Sequence, residues 1–181
     1  MARVLLFGAG ATGARIARQL RSSGVADTLE IRDPSLERRD RLVDDLGDGA
    51  VAGRGRRISD DPAVVIIATP PGTQLDVARR AIREGIAVVT TSNQTSEVRR
   101  LLELDDEARS RRVPVVVGAG FMPGLSCVLA RHGAREFDEV EEIHVAKVGT
   151  GGPACARQHH RALSSTGIDW RDGRWMRRAG G

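Results

Sequence analysis

The chain has 181 residues, 40% hydrophobic and 29% charged, which suits a globular protein with one sizeable core, or one domain and part of another. Its net charge is +4, almost all of the base is arginine, and Lys147 is the sole lysine. Arginines are interspersed with carboxylates along Arg99–Arg109, and aromatic residues make up only 3%, so no stacking platform exists and a nucleic-acid partner is not expected.

In chain order, Arg3–Phe7 is an apolar run of strand type. Being limited to Val4–Phe7, the apolar stretch does not read as a signal peptide. It leads directly into Gly8-Ala-Gly10-Ala11-Thr12-Gly13, and a helical pattern follows with Ile16, Ala17 and Leu20 on one face. Strand, G-x-G-x-x-G and helix in succession read as a dinucleotide-binding turn. Gly8 permits the tight exit from the strand, Gly10 lets a pyrophosphate approach the backbone, and Gly13 lets the helix pack on the sheet. The helix then offers its first amides, from Ala11 to Gly13, and a partial positive charge to the phosphates.

Thr28–Asp33 reads as the second strand. Asp33 at its tip, twenty residues past Gly13, is placed to accept hydrogen bonds from the adenosine ribose. A carboxylate there favours NAD over NADP. Arg32, Arg38 and Arg39 flank the position and could neutralise a 2′-phosphate, although solvated charge on the next helix is the simpler reading, and the preference stays open. Ser35 caps a helix through Leu36, Leu42, Val43 and Leu46, stopped by Gly47.

A weak third strand is expected over Ala50–Ala52. A strong fourth follows within Ala63–Thr69, whose longest apolar run is too short to cross a bilayer, so no membrane association is expected. Pro70-Pro71-Gly72 breaks that strand. The remaining pattern is a helix through Leu75 to Ile82, a fifth strand over Ile86–Thr91, one long charged helix over roughly 94–111, and a sixth strand over Val113–Val117. Continuous apolar strands separated by helices mean an α/β fold, a doubly wound parallel sheet of Rossmann type.

Ligands of such sheets lie at the carboxyl ends of the strands. That rule selects Thr69 and Pro70 after the fourth strand, Ser92 in Thr90–Asn93 after the fifth, and Gly120, Phe121, Met122 and Pro123 after the sixth. Pro123 suits the first turn of a helix through Leu125, Val128 and Leu129.

Taken together, Val4–Gly13, Ala68–Gly72 and above all Val116–Ser126 (VVGAGFMPGLS) resemble the saccharopine dehydrogenase (saccharopine reductase-like) oxidoreductases, comfortably over residues 1 to about 150. The resemblance implies a nicotinamide-dinucleotide domain followed by an α+β domain for substrate binding and homodimer formation. It also implies hydride exchange at an amine-bearing carbon of an amino-acid-like small molecule. Carried over by residue, Gly8, Gly10, Thr12, Gly13 and Asp33 hold the NAD or NADP, Thr69 and Pro70 line it, and Gly120 to Pro123 come near the nicotinamide. Family members extend well past 181 residues, so the expected division is a Rossmann domain over 1–136 and an incomplete start of the second domain over 137–181.

Within that second part, Phe137–Val148 reads as one strand and Gly149–Gly181 as a polar, arginine-rich stretch anchored by two tryptophans. The chain has no tyrosine, which removes the Tyr–Lys pair of short-chain dehydrogenases. Cys127 reads as a buried, inert thiol, and with Cys155 it is too isolated for a disulfide framework or metal site; a reducing cytoplasm is the expected compartment. His132 suits the end of a helix, His144 a strand, and Lys147 a strand edge. His159 and His160 remain as acid–base candidates. Two rivals stay open: a non-catalytic NAD(P)-sensing module with a self-contained surface, and an enzyme of homoserine dehydrogenase or dihydrodipicolinate reductase type.

Overall fold

The computed structural model describes residues 2–55, 57, 58, 62–146, 148, 149 and 151–179. Its backbone divides into two compact units, one reaching to Ala146 and therefore past Glu136, the other comprising the residues that follow.

The first unit is built on β1 (Arg3–Phe7), α1 (Ala11–Ser22), β2 (Thr28–Arg32), α2 (Leu36–Leu46), β3 (Ala50–Ala52), β4 (Val64–Ile67), α3 (Leu75–Arg83), β5 (Ala87–Thr90), α4 (Thr95–Leu102), α5 (Asp105–Arg111), β6 (Val115–Val116) and α6 (Leu125–Ala134). The sheet order is β3-β2-β1-β4-β5-β6, and every pairing is parallel. The order reverses between β1 and β4, where Leu5 stands opposite Val65. Such a reversal opens a crevice at the carboxyl ends of the strands.

Successive strand residues point to opposite faces, so a strand covered on both sides must be apolar throughout. Leu5, Phe7, Val65, Ile67 and Val88 join Ala78 and Ile82 of α3 in one core. Val4, Leu6, Leu29, Ile31 and Ile66 join Ala17 and Leu42 in the other. As expected, Ser35 caps α2, its hydroxyl accepting from the Arg38 amide at 3.3 Å, and Gly47 ends it at φ 68°. Among the described residues, no helix is long and apolar enough to cross a membrane.

Four expectations need correction. The charged segment over 94–111 is two helices, because a bend between Leu102 and Asp105 lets Leu101, Leu104 and Ala108 all turn inward. Pro123 is not in the first turn of α6: Gly124 is the N-cap and Leu125 the first helical residue. Phe137–Ala146 forms no strand, since no neighbouring strand among the described residues satisfies its backbone. His144 therefore lies in irregular chain and pairs with Glu142 at 2.8 Å. Lys147 falls outside the described residues.

The second unit holds α7 (Pro153–Leu163) and an antiparallel hairpin of β7 (Gly167–Arg171) and β8 (Arg174–Arg178). The turn signal lies inside the arginine-rich stretch. Asp172 and Gly173 take φ of 49° and 72°, as a two-residue hairpin turn requires. Trp170 sits opposite Trp175, and their rings meet edge to face with centroids 4.9 Å apart.

Candidate functional site

The first wall of the crevice is the loop between β1 and α1. Gly8 leaves the sheet at φ 105°, and its amide donates to the Arg32 carbonyl at 2.8 Å. A Cβ on Gly8 would stand 2.5 Å from the Ala68 carbonyl oxygen, and one on Gly13 would overlap the Gly8 carbonyl oxygen. These two glycines are thus demanded by the protein's own packing. Gly10 differs, because a Cβ there would meet nothing within 4 Å. Open space lies over Gly10 at the N-terminus of α1, where no side chain caps the helix and Ala11 and Thr12 are exposed. A diphosphate fits this cradle, and the first amides of α1 are the donors it needs.

Asp33 supports the loop from behind. Its Oδ2 accepts from the Ala9 amide at 2.7 Å, and its Oδ1 accepts from the Ser35 amide and from Arg38 Nη2, both at 2.8 Å. A carboxylate has about four acceptor positions, so roughly one remains for a ribose hydroxyl while Arg38 stays in place. Burial by itself would raise the Asp33 carboxyl. Hydrogen bonds from Arg38 and from the Ala9 and Ser35 amides, together with the Arg38 charge, outweigh burial and hold the group below its ordinary value.

A depressed folded value stabilises the protein above the unfolded value of about 4, and that contribution is lost as pH falls through the folded one. Asp33→Asn is therefore expected to flatten the acid limb of stability below about pH 4. Urea midpoints measured across that range for both proteins check this.

The three flanking arginines separate in space. Arg38 is exposed and reaches Asp33, whereas Arg32 and Arg39 are buried, against their reading as solvated charge. Arg32 pairs with Glu30 and lies over the Phe7 ring at 5.6 Å; Arg39 donates to the Gly53 carbonyl at 3.0 Å. Burial of both charges is sustained by these partners.

The second wall follows β4. Thr69 is half-buried and Pro70 exposed, and Thr73 Oγ1 lies 2.8 Å from the Thr69 hydroxyl and 2.7 Å from the Pro70 carbonyl oxygen. Gln74, overlooked in the sequence, is buried. Its Nε2 donates to the Thr69 carbonyl at 2.8 Å, while its Oε1 accepts from the Thr91 amide at 3.2 Å. Ser92 is also buried, and its hydroxyl donates to Glu97 at 2.6 Å.

After β6, the Ala119 amide donates to the Thr90 carbonyl at 2.7 Å, fastening the next loop to the end of β5. There the Gly120 amide donates to the Pro123 carbonyl at 3.1 Å, and Gly124 takes φ 129° at a place where a Cβ would overlap the Gly120 carbonyl. Phe121 and Met122 are exposed at the tip, and Pro123 is half-buried against Gly118. Gly8–Gly10 with the first residues of α1, Thr69, Pro70, Ser92 and Gly120–Pro123 thus all follow the carboxyl ends of the strands, at one end of the sheet. His159 and His160 do not; they are exposed on α7 in the other unit. Cys127, on α6, is exposed rather than buried.

A parallel sheet reversing at β1 and β4, with a glycine cradle at that point and a carboxylate beyond β2, defines a dinucleotide-binding α/β protein. The family described as "Oxidoreductase family, NAD-binding Rossmann fold" matches residues 2–119. The chain belongs to that family.

Solved structures agree in fold. Apo saccharopine dehydrogenase (L-Glu forming) from Saccharomyces cerevisiae is 19% identical, with a TM-score of 0.67 over 99% of this chain and 44% of that one. Biliverdin reductase from Synechocystis sp. PCC 6803, in complex with biliverdin and NADP+, is 18% identical, with a TM-score of 0.60 over 75% of this chain and 42% of that one. GenD2 from gentamicin A biosynthesis, in complex with NAD, is 23% identical, with a TM-score of 0.58 over 74% of this chain and 38% of that one. This chain spans less than half the length of each.

Proposed function

We propose that the protein is an NAD(P)-dependent oxidoreductase of saccharopine dehydrogenase type, acting at an amine-bearing carbon of an amino-acid-like substrate. The observation that carries this reading is the open cradle over Gly10 at the uncapped start of α1. When bound, the nicotinamide supplies hydride transfer. The chain supplies position: Gly8, Gly10, Ala11, Thr12 and Gly13 for the diphosphate, Asp33 for the ribose, Thr69, Pro70 and Ser92 for the adjoining wall, and Gly120 to Pro123 for the nicotinamide side. NAD is the preferred form, because Asp33 would face a 2′-phosphate.

The saccharopine-type substrate rests on the Gly-Phe-Met-Pro-Gly-Leu-Ser resemblance at 120–126 and on a likeness of fold that runs nearly the whole chain. Residues 137–181 begin the substrate and homodimerisation domain in this reading, with His159 and His160 as the groups that move the proton. Its support is the apolar surface on α6 and in the chain after it: Val128, Leu129, Phe137 and Ile143 are each more than half exposed. A self-contained sensing module would bury such residues, whereas a domain awaiting further protein displays them.

Isothermal titration with NADH and NADPH tests the cofactor reading. Micromolar binding of at least one nucleotide is expected, about −8 kcal/mol. Asp33→Ala should weaken NADH more than NADPH, since it deletes a ribose acceptor and an anion at once. If a folded sample binds neither nucleotide, the reading fails.

A further inference from the structure

Glu97 is only 5% exposed, yet its carboxylate is not spent on its own helix. It is the third residue of α4, after the N-cap Gln94, where a glutamate ordinarily returns to the N-cap amide. Here it reaches across to the next loop. Its Oε2 accepts from the Gly72 amide at 2.9 Å and from the Ser92 hydroxyl at 2.6 Å, and its Oε1 accepts from the Gln74 amide at 2.8 Å. Three donors from two loops thus converge on two oxygens of a third element. Both loops leave the carboxyl ends of the central strands, β4 and β5. The β4 loop begins at Ala68–Thr69, the backbone against which Gly8 is packed. Glu97 therefore sets the position of a wall of the crevice without lying in it.

We propose that Glu97 is a positioning residue for dinucleotide binding, a carboxylate clamp that fixes the Thr69–Gln74 loop to the end of β5 beside the glycine cradle. The proposal rests on the dinucleotide reading given above. Charge-assisted hydrogen bonds are short and strong, and a clamp made of three fixes a loop that plain packing would leave adjustable. Glutamine is nearly the same shape but has one acceptor oxygen. Its NH2 group would face a donor on at least one arm, so Glu97→Gln opens the clamp while keeping the volume.

The test uses the full chain, with amide hydrogen exchange read without nucleotide and titration with NADH alongside. In Glu97→Gln, exchange at the Gly72 and Gln74 amides should quicken at least about tenfold, with Leu5 and Leu6 in β1 unchanged, and NADH affinity should fall about tenfold. Ser92→Ala, a milder change, should quicken Gly72 and lower affinity about two- to threefold. Wild-type NADH affinity in Glu97→Gln overturns the clamp, and so does faster exchange shared equally by Leu5 and Leu6, which marks general loss of stability. If Glu97→Gln does not fold, unchanged NADH affinity in Ser92→Ala overturns it. A folded wild-type protein that binds no nucleotide overturns the cofactor reading, and with it any part of Glu97 in binding. The exchange pattern at Gly72 and Gln74 then still shows whether the loop is held.

Discussion

Gly10→Val is expected to cost most of the NADH affinity and to leave the fold as it was. The backbone at Gly10 has φ −77° and ψ −173°, an extended conformation open to any residue, so valine brings no strain. Beyond its chain neighbours a Cβ there finds no protein atom within 4 Å, so the side chain is expected to extend into the space above the loop. That space is where a pyrophosphate approaches the main chain. Affinity should drop at least about a hundredfold, near 2.7 kcal/mol, while the melting midpoint stays within about 2 °C. Titration and a far-ultraviolet circular dichroism melt on the same preparation check both halves. Undiminished NADH binding would mean that the loop is not the phosphate site.

Gly13→Ala reverses the pattern. Its new methyl group would overlap the Gly8 carbonyl oxygen, which is backbone and belongs to a residue whose amide donates to the Arg32 carbonyl of the neighbouring strand. Neither side can yield without lifting α1 from β1. Alanine ordinarily stabilises a helix over glycine by about 0.5–1 kcal/mol, so a loss reports the overlap alone. The expected cost is about 3 kcal/mol, a fall of roughly 6–12 °C in a chain of this size. A urea midpoint that fails to move would show that α1 does not pack as closely as the structure has it. The pair tests whether one motif combines two roles, Gly13 in packing the fold and, as proposed, Gly10 in admitting the ligand.

The parallel sheet was legible because its signals are local. Apolar runs at Val4–Phe7 and Val64–Ile67, the Ser35 cap, the Gly47 stop and even the short Ala50–Ala52 strand follow from neighbours in sequence. The break between α4 and α5 carried a signal too, since Asp105, Asp106 and Glu107 in succession suit a helix start. Strand-like residues from Phe137 onward misled, because alternation describes a face and a face becomes a strand only with a partner. The hairpin was announced by Asp172-Gly173 between tryptophans, but arginine-rich composition masked it. Of the site, the glycine loop and Asp33 could be placed by spacing. Gln74 and Glu97 could not, because a buried polar side chain is defined by donors that the fold brings from elsewhere.

The edge-to-face tryptophans of the hairpin have a practical consequence. They are the chain's only two, and it has no tyrosine, so its ultraviolet emission originates almost wholly from Trp170 and Trp175. A fluorescence melt will therefore report first on the hairpin around the Asp172–Gly173 turn, where both rings sit. Far-ultraviolet circular dichroism reads the backbone of both compact units, whereas tryptophan emission is rooted in the hairpin, so a mismatch between the two melts would show that the hairpin does not unfold with the rest.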